Sequence, residues 1–309
     1  MSSIQEIIRN DSKRLEIALN LDPASARIEL QCLLQAVLQV DRAWLLAHAE
    51  QTLNNEQQFR FNDLFERRLK GEPIAYLLGE REFYGLLFRV TPATLIPRPE
   101  TELLVELALQ RCGRVAAPPP CTHRSAPCGR IAEQGVCRVL DLGTGCGAIA
   151  LSIADARPDA EVVAVDISRA ALEVAQLNMQ QFGLDNVRLL HSNWFSALQE
   201  ERFDIIVSNP PYIAASDAHL SQGDVRYEPR SALASGAEGL DDIRSICAAA
   251  KPHLNVDGWL LFEHGYDQAV HVRALLQQAG FNSVFSARDL AGIERVSGGS
   301  YRVPTKTAG

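Results

Sequence analysis

From Val139 onward the chain alternates short apolar runs with stretches of helical periodicity, and that alternation leaves few folds open. Val139 to Leu142 reads as a buried strand, Ala148 to Ala156 as a helix, Glu161 to Asp166 as a second strand and Ser168 to Phe182 as a second helix. Val187 to Leu190, Phe203 to Ser208 and Trp259 to Glu263 add three strands, with helices over Asp241 to Ala250 and Asp267 to Ala279. Phe281 to Ala287 and Glu294 to Val303 read as two more strands. Strands that are apolar along their whole length are covered on both faces. Repeated strand–helix units of this kind build a parallel sheet wrapped by helices. Ligands in such sheets lie at the carboxyl ends of the strands, so the residues that follow each strand are where chemistry is expected.

The chain ahead of this region has a different texture. Residues 1–78 read as an all-helical domain. Asp22-Pro23 is a start signal, with Asp at the cap and Pro at the first helical position, and Ile28, Leu30, Leu33, Leu34, Val37 and Leu38 follow at helical spacing. A short helix carrying Trp44 to Leu46 follows Asp41, and Asn54 or Asn55 caps another that stops at Gly71. Residues 79–97 read as a β-hairpin connector, aromatic, punctuated by Gly85 and closed by Pro92 and Pro97. The α/β domain is expected over 98–309, opening with a helix from Thr101. Within it, 111–136 holds Pro118-Pro119-Pro120 and no periodicity, and is longer than the ~12–15 residues of an ordinary connection, so a flexible insertion is expected. Cys112, Cys121, Cys128 and Cys137 are spaced nine, seven and nine apart near His123, with no Cys-x-x-Cys pair, and no metal site is expected.

Charge and cysteine content narrow the function. With 30 Lys+Arg against 38 Asp+Glu the net charge is −8, and no Lys/Arg-rich run stands out. That weighs against holding nucleic acid by phosphate neutralisation. The polar start has no apolar leader core, and no apolar run approaches the ~18 residues needed to span a bilayer. A cytoplasmic protein with its seven scattered thiols reduced is expected.

Each strand end in the α/β region carries a suggestive residue. The first strand runs into Asp141-Leu142-Gly143-Thr144-Gly145-Cys146-Gly147, where glycines allow a tight turn and close approach of a ligand. Ala148 stands where a dinucleotide fingerprint has its last glycine, and the D-x-G-x-G-x-G form suits S-adenosylmethionine, which has no pyrophosphate to cradle. Asp166 ends the second strand, 21 residues after Gly145, where a carboxylate either accepts both ribose hydroxyls or caps the next helix. Trp194, after the third strand, either stacks on a base or fills core. The fourth strand ends in Asn209-Pro210-Pro211-Tyr212. Two prolines stiffen the loop and remove donors, leaving carbonyl oxygens without helix or sheet partners. The Asn209 side chain adds an acceptor, and Tyr212 a flat face. Two acceptors at fixed separation match the two N–H bonds of a planar –NH2 group. No Ser/His/Asp triad is visible, and His264, after the fifth strand, is given no role.

With the glycine loop, Asn209-Pro210-Pro211-Tyr212 resembles class I S-adenosylmethionine-dependent methyltransferases acting on a planar –NH2 nitrogen, either adenine N6 or a glutamine side-chain amide. Longer stretches point to the amide. Gly71 to Tyr76, Arg81-Glu82-Phe83, Ile96 to Thr101, Val139 to Ile153, and Gly223 to Arg226 with Glu228-Pro229 all resemble the bacterial release factor glutamine methyltransferases, over nearly the whole chain. The insertion and the polar tail after Val303 depart from that pattern without touching the motifs. The resemblance implies an α/β, Rossmann-like class I methyltransferase sheet with an N-terminal helical domain that recognises substrate. It implies methylation of the glutamine N5 in the Gly-Gly-Gln motif of class 1 peptide chain release factors by a cytoplasmic monomer, with neither nucleic acid nor membrane as partner. A ribosomal-protein glutamine methyltransferase is the nearest alternative, an adenine N6-methyltransferase a more distant one, and a non-catalytic binding module the least favoured.

On the same resemblance, Asp141, Gly143, Thr144, Gly145, Cys146, Gly147, Asp166, Trp194 and Asn209 are the expected S-adenosylmethionine-binding residues. Asn209, Pro210 and Tyr212 are the expected catalytic residues, and with Pro211 they form the substrate-binding loop. Asn209 Oδ1 and the Pro210 carbonyl would accept the two amide N–H bonds, aiming the nitrogen lone pair at the methyl group.

Overall fold

The computed structural model describes residues 3–113 and 136–302. Two compact units emerge: Met1–Arg81 with Val90–Pro92 and Ala218–Glu228, and Glu82–Arg89 with Ala93–Asp217 and Pro229–Gly309.

The first unit is helical because its caps and apolar spacing agree. Helix α1 (Ile4–Leu19) starts at a capping box in which Ser3 and Glu6 exchange side-chain-to-backbone bonds. Helix α2 (Pro23–Leu38) is capped by Asp22, α3 (Arg42–Ala47) by Asp41, and α4 (Asn55–Leu69) by Asn54 with Gln57 as its box partner. Helix α5 (Ile74–Leu78) ends at Gly79, in the left-handed region. Leu15, Leu30, Leu33, Leu34, Phe61 and Phe65 form the core. The Arg68 guanidinium is buried beside them. Arg68 grips Glu29 of α2 through Nε and Nη2 at 2.7 and 2.9 Å, and Asp224 through Nη1 at 2.9 Å.

Strands β1 (Glu80–Phe83) and β2 (Leu86–Arg89) form a two-stranded hairpin. Its turn residues Tyr84 and Gly85 both have positive φ, 52° and 77°, the geometry that matches strand twist.

The second unit is a seven-stranded sheet in the order β5-β4-β3-β6-β7-β9-β8. Its strands are β3 (Arg138–Leu142), β4 (Glu161–Asp166), β5 (Val187–His191), β6 (Phe203–Ser208), β7 (Leu254–Glu263), β8 (Asn282–Arg288) and β9 (Glu294–Ser300). Its helices are α6 (Glu102–Arg111), α7 (Ala148–Ala156), α8 (Arg169–Phe182), α9 (Asp241–Ala249) and α10 (Ala269–Gln278). On one face Leu140, Leu142, Val163, Ile206 and Phe262 pack with Ile243 and Ile246 of α9 and Val272 and Leu276 of α10. Alternate residues Val139, Val162, Ile205 and Leu261 are equally buried and face the other side, where α6 packs on β7 and α7 on β4.

Two expectations are corrected. The sheet is not wholly parallel: β9 runs antiparallel to both β7 and β8. The link between β8 and β9 is a tight turn that reverses the chain, where a parallel neighbour would need a crossover of a dozen residues or more. Nor are all thiols reduced. Cys112, just past α6, and Cys137, just before β3, are joined by a disulfide with their Cα atoms 5.8 Å apart, inside the range such bonds span. Cys32, Cys146 and Cys247 are free. Cys121, Cys128, His123 and the expected insertion lie outside the described residues, apart from its ends at 111–113 and 136. Among the described residues no group of three or more His, Cys, Asp or Glu is arranged around a metal position, and no helix is long and apolar enough to cross a membrane.

Candidate active site at the strand ends

Strand register assembles the site. Leu142, the last residue of β3, pairs with Val165 of β4 on one side and Ser208 of β6 on the other. The glycine loop, Asp166 and Asn209 therefore leave three hydrogen-bonded neighbours at the same level, with strands ~4.8 Å apart.

The glycine loop is held from beneath. Gly143 and Thr144 donate their N–H groups to the Val165 carbonyl, and Thr144 Oγ1 donates to Asp141 Oδ2 at 2.7 Å. Asp141 is fully buried, and its Oδ1 has no hydrogen-bond partner among the described residues. Burial, with a smaller contribution from the Asp166 charge, pushes its carboxyl up to about 7 against the pull of the Thr144 and Ala150 bonds. Cys146 is buried too, and its thiol is pushed up to about 12, so any contribution it makes to a ligand comes from its backbone. The Cys146 carbonyl is fixed by Asn178 Nδ2 at 2.9 Å. Gly147 starts α7 with φ 88°, and a Cβ there would meet Leu151 Cδ1 at 2.8 Å, so both conformation and packing require glycine.

Above the loop there is room for a ligand. A Cβ on Gly145 would find nothing within 4 Å. Asp166 Oδ2 accepts from Gly145 N at 2.9 Å, and its Oδ1 from Ser168 N at 2.8 Å. One bond to each oxygen leaves lone pairs on both for a vicinal diol. Asp166 thus organises the loop and also starts α8, whose cap is Ser168. Half-buried Trp194, with φ 48°, lies with its ring edge over Gly143 while also packing against the sheet core. Ile167 is 60 % exposed beside Asp166 and offers an apolar surface at the same strand end. A carboxylate with spare acceptors, an open glycine position and flanking apolar groups fit the nucleoside of S-adenosylmethionine.

The Asn209-Pro210-Pro211-Tyr212 loop is clamped at its far end. Gln268 Nε2 donates to the Tyr212 carbonyl at 2.9 Å, and Gly239 passes so close that a Cβ would lie 2.2 Å from that oxygen. Ile213 exchanges backbone bonds with Leu233 and Ser235. The Pro210 carbonyl has no hydrogen-bond partner among the described residues.

Two residues that sequence reasoning missed sit behind this loop. Glu263 closes β7 and is 2 % exposed; Tyr212 Oη lies 3.5 Å from its Oε1, and Thr101 also hydrogen-bonds it. Burial pushes the Glu263 carboxyl up to about 7, opposed by Thr101, Arg295 and Tyr212 and assisted by Glu100. The Tyr212 phenol is raised by burial and by the Glu263 charge. The strand-end rule pointed at position 263, but a strand-ending Glu has no motif around it to distinguish it from an exposed one. His264 is wholly buried, with its ring nitrogens on the Gly265 carbonyl and Ser297 Oγ, a structural setting.

Comparison with known proteins gives the family. Residues 14–79 match the family model described as PrmC N-terminal domain, and residues 130–225 match the Methyltransferase small domain. The release factor glutamine methyltransferase of Bordetella pertussis is 50% identical over 279 residues, covering 90% of this chain and 96% of that protein. The Escherichia coli protein of the same name is 45% identical over 277 residues, covering 90% and 93%. Among solved structures, the catalytic domain of hMettl16 in complex with an RNA hairpin aligns with TM-score 0.54 at 16% identity, over 79% of this chain and 84% of that one, a likeness of fold.

Proposed function

We propose, since this chain belongs to the release factor glutamine methyltransferases and is a methyltransferase, that it methylates the side-chain amide nitrogen of the glutamine in the Gly-Gly-Gln motif of class 1 release factors, using S-adenosylmethionine. The observation that carries this reading is the register of β3, β4 and β6, which sets the glycine loop, Asp166 and Asn209 on adjacent strand ends. A cofactor site and an –NH2 site are thereby neighbours.

When bound, S-adenosylmethionine would supply a methyl group on a sulfonium; transfer would form the N–C bond, break the S–C bond to leave a neutral thioether, and give one amide proton, made acidic as the new bond forms, to solvent water. An amide nitrogen is a poor nucleophile, because its lone pair is delocalised into the carbonyl. Asn209 Oδ1 and the Pro210 carbonyl accept its two N–H bonds, turn the lone pair toward the methyl and stabilise positive charge growing on nitrogen. Tyr212 packs on the amide plane. Asp166 binds the ribose hydroxyls, the backbone from Gly143 to Gly147 shapes the bed beneath the cofactor, with Asp141 and Thr144 holding it, and Trp194 flanks the base. Holding the reactants in line supplies most of the acceleration, up to ~7–11 kcal/mol in favourable cases. In this reading residues 1–78 grip a second surface of the release factor, residues 79–97 connect, and 98–309 carry the chemistry, in a cytoplasmic monomer.

The test offers labelled S-adenosylmethionine together with release factor, ribosomes and DNA in separate reactions. Label is expected in the release factor glutamine alone; label confined to ribosomal protein or to DNA overturns the reading. Asn209→Ala is expected to lower transfer by at least ~10²-fold while the cofactor still binds. Full activity in that variant removes Asn209 from its role.

A further inference from the structure

We propose, building on the glutamine methyltransferase reading, that Thr101 and Glu263 are positioning residues that fix which end of the Asn209 amide faces the substrate. Thr101 lies at the start of α6, 3 % exposed, and Glu263 at the end of β7, 2 % exposed. Asn209 Nδ2 is 3.5 Å from Thr101 Oγ1, Thr101 hydrogen-bonds Glu263, and Tyr212 Oη is 3.5 Å from Glu263 Oε1. Both distances sit at the outer limit of a hydrogen bond, and contacts of this kind shorten as substrate fills a site.

The direction of the relay follows from proton inventory. An ionised carboxylate only accepts, so the single hydroxyl proton of Thr101 is committed to Glu263. The Thr101 oxygen is left with lone pairs alone, and only the NH2 end of Asn209 can satisfy it. Asn209 Oδ1 is thereby turned away from Thr101, free to accept from a substrate –NH2. The reversed amide would oppose its own N–H groups to those of the substrate and could not bind it. Tyr212 donates to the same carboxylate, so one buried group aligns both polar members of the loop. Burial, and to a smaller extent Glu100 next to Thr101, push the carboxyl up to about 7, while Thr101, Arg295 on β9 and Tyr212 favour the charged form, so the relay is set in this direction above that pH. Oε2 of Glu263, which has no hydrogen-bond partner among the described residues, keeps that carboxylate an acceptor with capacity to spare. Neither Thr101 nor Glu263 is required to touch the reacting atoms.

Isosteric pairs of variants test the relay from both ends, with release factor and labelled S-adenosylmethionine as substrates. Thr101→Val keeps the shape and loses the acceptor, and is expected to lower kcat by about tenfold or more, the equivalent of one buried hydrogen bond, with cofactor Kd unchanged. Thr101→Ser restores the hydroxyl and is expected to stay within about threefold of wild type. At the other end, Glu263→Gln keeps an acceptor for Thr101 and is expected to hold at least about a third of wild-type kcat, whereas Glu263→Met loses it and falls by about tenfold. Wild-type kcat in Thr101→Val, or equal losses within either pair, overturns the relay while leaving the methyltransferase reading intact. A wild-type enzyme inert toward release factor overturns both. The Glu263 pair decides the matter independently should a Thr101 variant fail to fold.

Discussion

At the scale of single residues, the site carries two buried acids, Asp141 and Glu263, whose carboxyls burial pushes up to about 7. Asp141 is fully buried with its carboxyl pushed up to about 7, above its value of 3.8 in an unfolded chain. A folded-state pKa raised in this way gives stability that is complete below about 3.8 and is lost as pH rises through about 7. Ionising Asp141 in the folded protein therefore costs up to ~4 kcal/mol at pH 8. Asp141→Asn, which cannot ionise, is expected to gain Tm relative to wild type between pH 5 and pH 8, measured by thermal melts without cofactor. A variant offset independent of pH would show that the carboxylate is accommodated at no cost. The motif residues were legible in the sequence because glycine and proline have few alternative uses at strand ends. Asp166 ends β4 and Asn209 follows β6, the strand ends at which the sequence pattern puts them. Glu263 and Thr101 were not legible, since their roles depend on burial and on partners 51 and 108 residues away in Tyr212 and Asn209.

At the scale of elements, close approach rather than propensity decides which glycines are indispensable. The clamp on the Asn209-Pro210-Pro211-Tyr212 loop depends on Gly239, whose Cβ would sit 2.2 Å from the Tyr212 carbonyl and 2.9 Å from Gln268 Nε2, at φ 72°. Gly183, at the end of α8, has nearly the same φ, 67°, but open space where its Cβ would be. Gly183→Ala is expected to cost only the left-handed penalty, ~1–2 kcal/mol. Gly239→Ala adds overpacking worth ~1–3 kcal/mol and is expected to weaken methyl transfer as well, by displacing the Tyr212 carbonyl from Gln268. Chemical denaturation of the two variants, paired with kcat, separates these effects; equal destabilisation would deny the clamp its packing origin. Helix starts at Asp22, Asp41 and Asn54 or Asn55 could be read directly, because a capping side chain is a local signal; of the last two Asn54 is the cap, and α8 is capped by Ser168 rather than Asp166. The antiparallel β9 could not: Glu294–Ser300 carries one large apolar side chain, Val296, so its composition gives no direction, and the short turn before it sets its sense.

At the scale of the whole molecule, the chain order conceals which segments fold together. Ala218–Glu228 follows the Asn209-Pro210-Pro211-Tyr212 loop by only a few residues, yet groups with the N-terminal helices. Nothing in its composition announces this, because the ties are long-range: Arg68 of α4 reaches Asp224 across 156 residues of sequence while gripping Glu29 with its other edge. Arg226 and Tyr227 add bonds to the Lys70 carbonyl. A guanidinium with 3% of its side chain exposed is stable only while both carboxylates are in place, and its planar fork serves them at once, which an ammonium cannot. Arg68→Met leaves Glu29, 16% exposed, without a counter-charge and is expected to cost about 3 kcal/mol. The lower end of the range for buried pairs applies because Asp224 is 39% exposed and recovers part of its hydration. Arg68→Lys is expected to recover less than half of that loss. Hydrogen exchange locates the effect: amides of Ala218–Glu228 and of α2 should lose protection in Arg68→Met, while β3, β4 and β6 keep theirs. Protection lost evenly over both units would mean that Arg68 holds the entire molecule together rather than its helical unit.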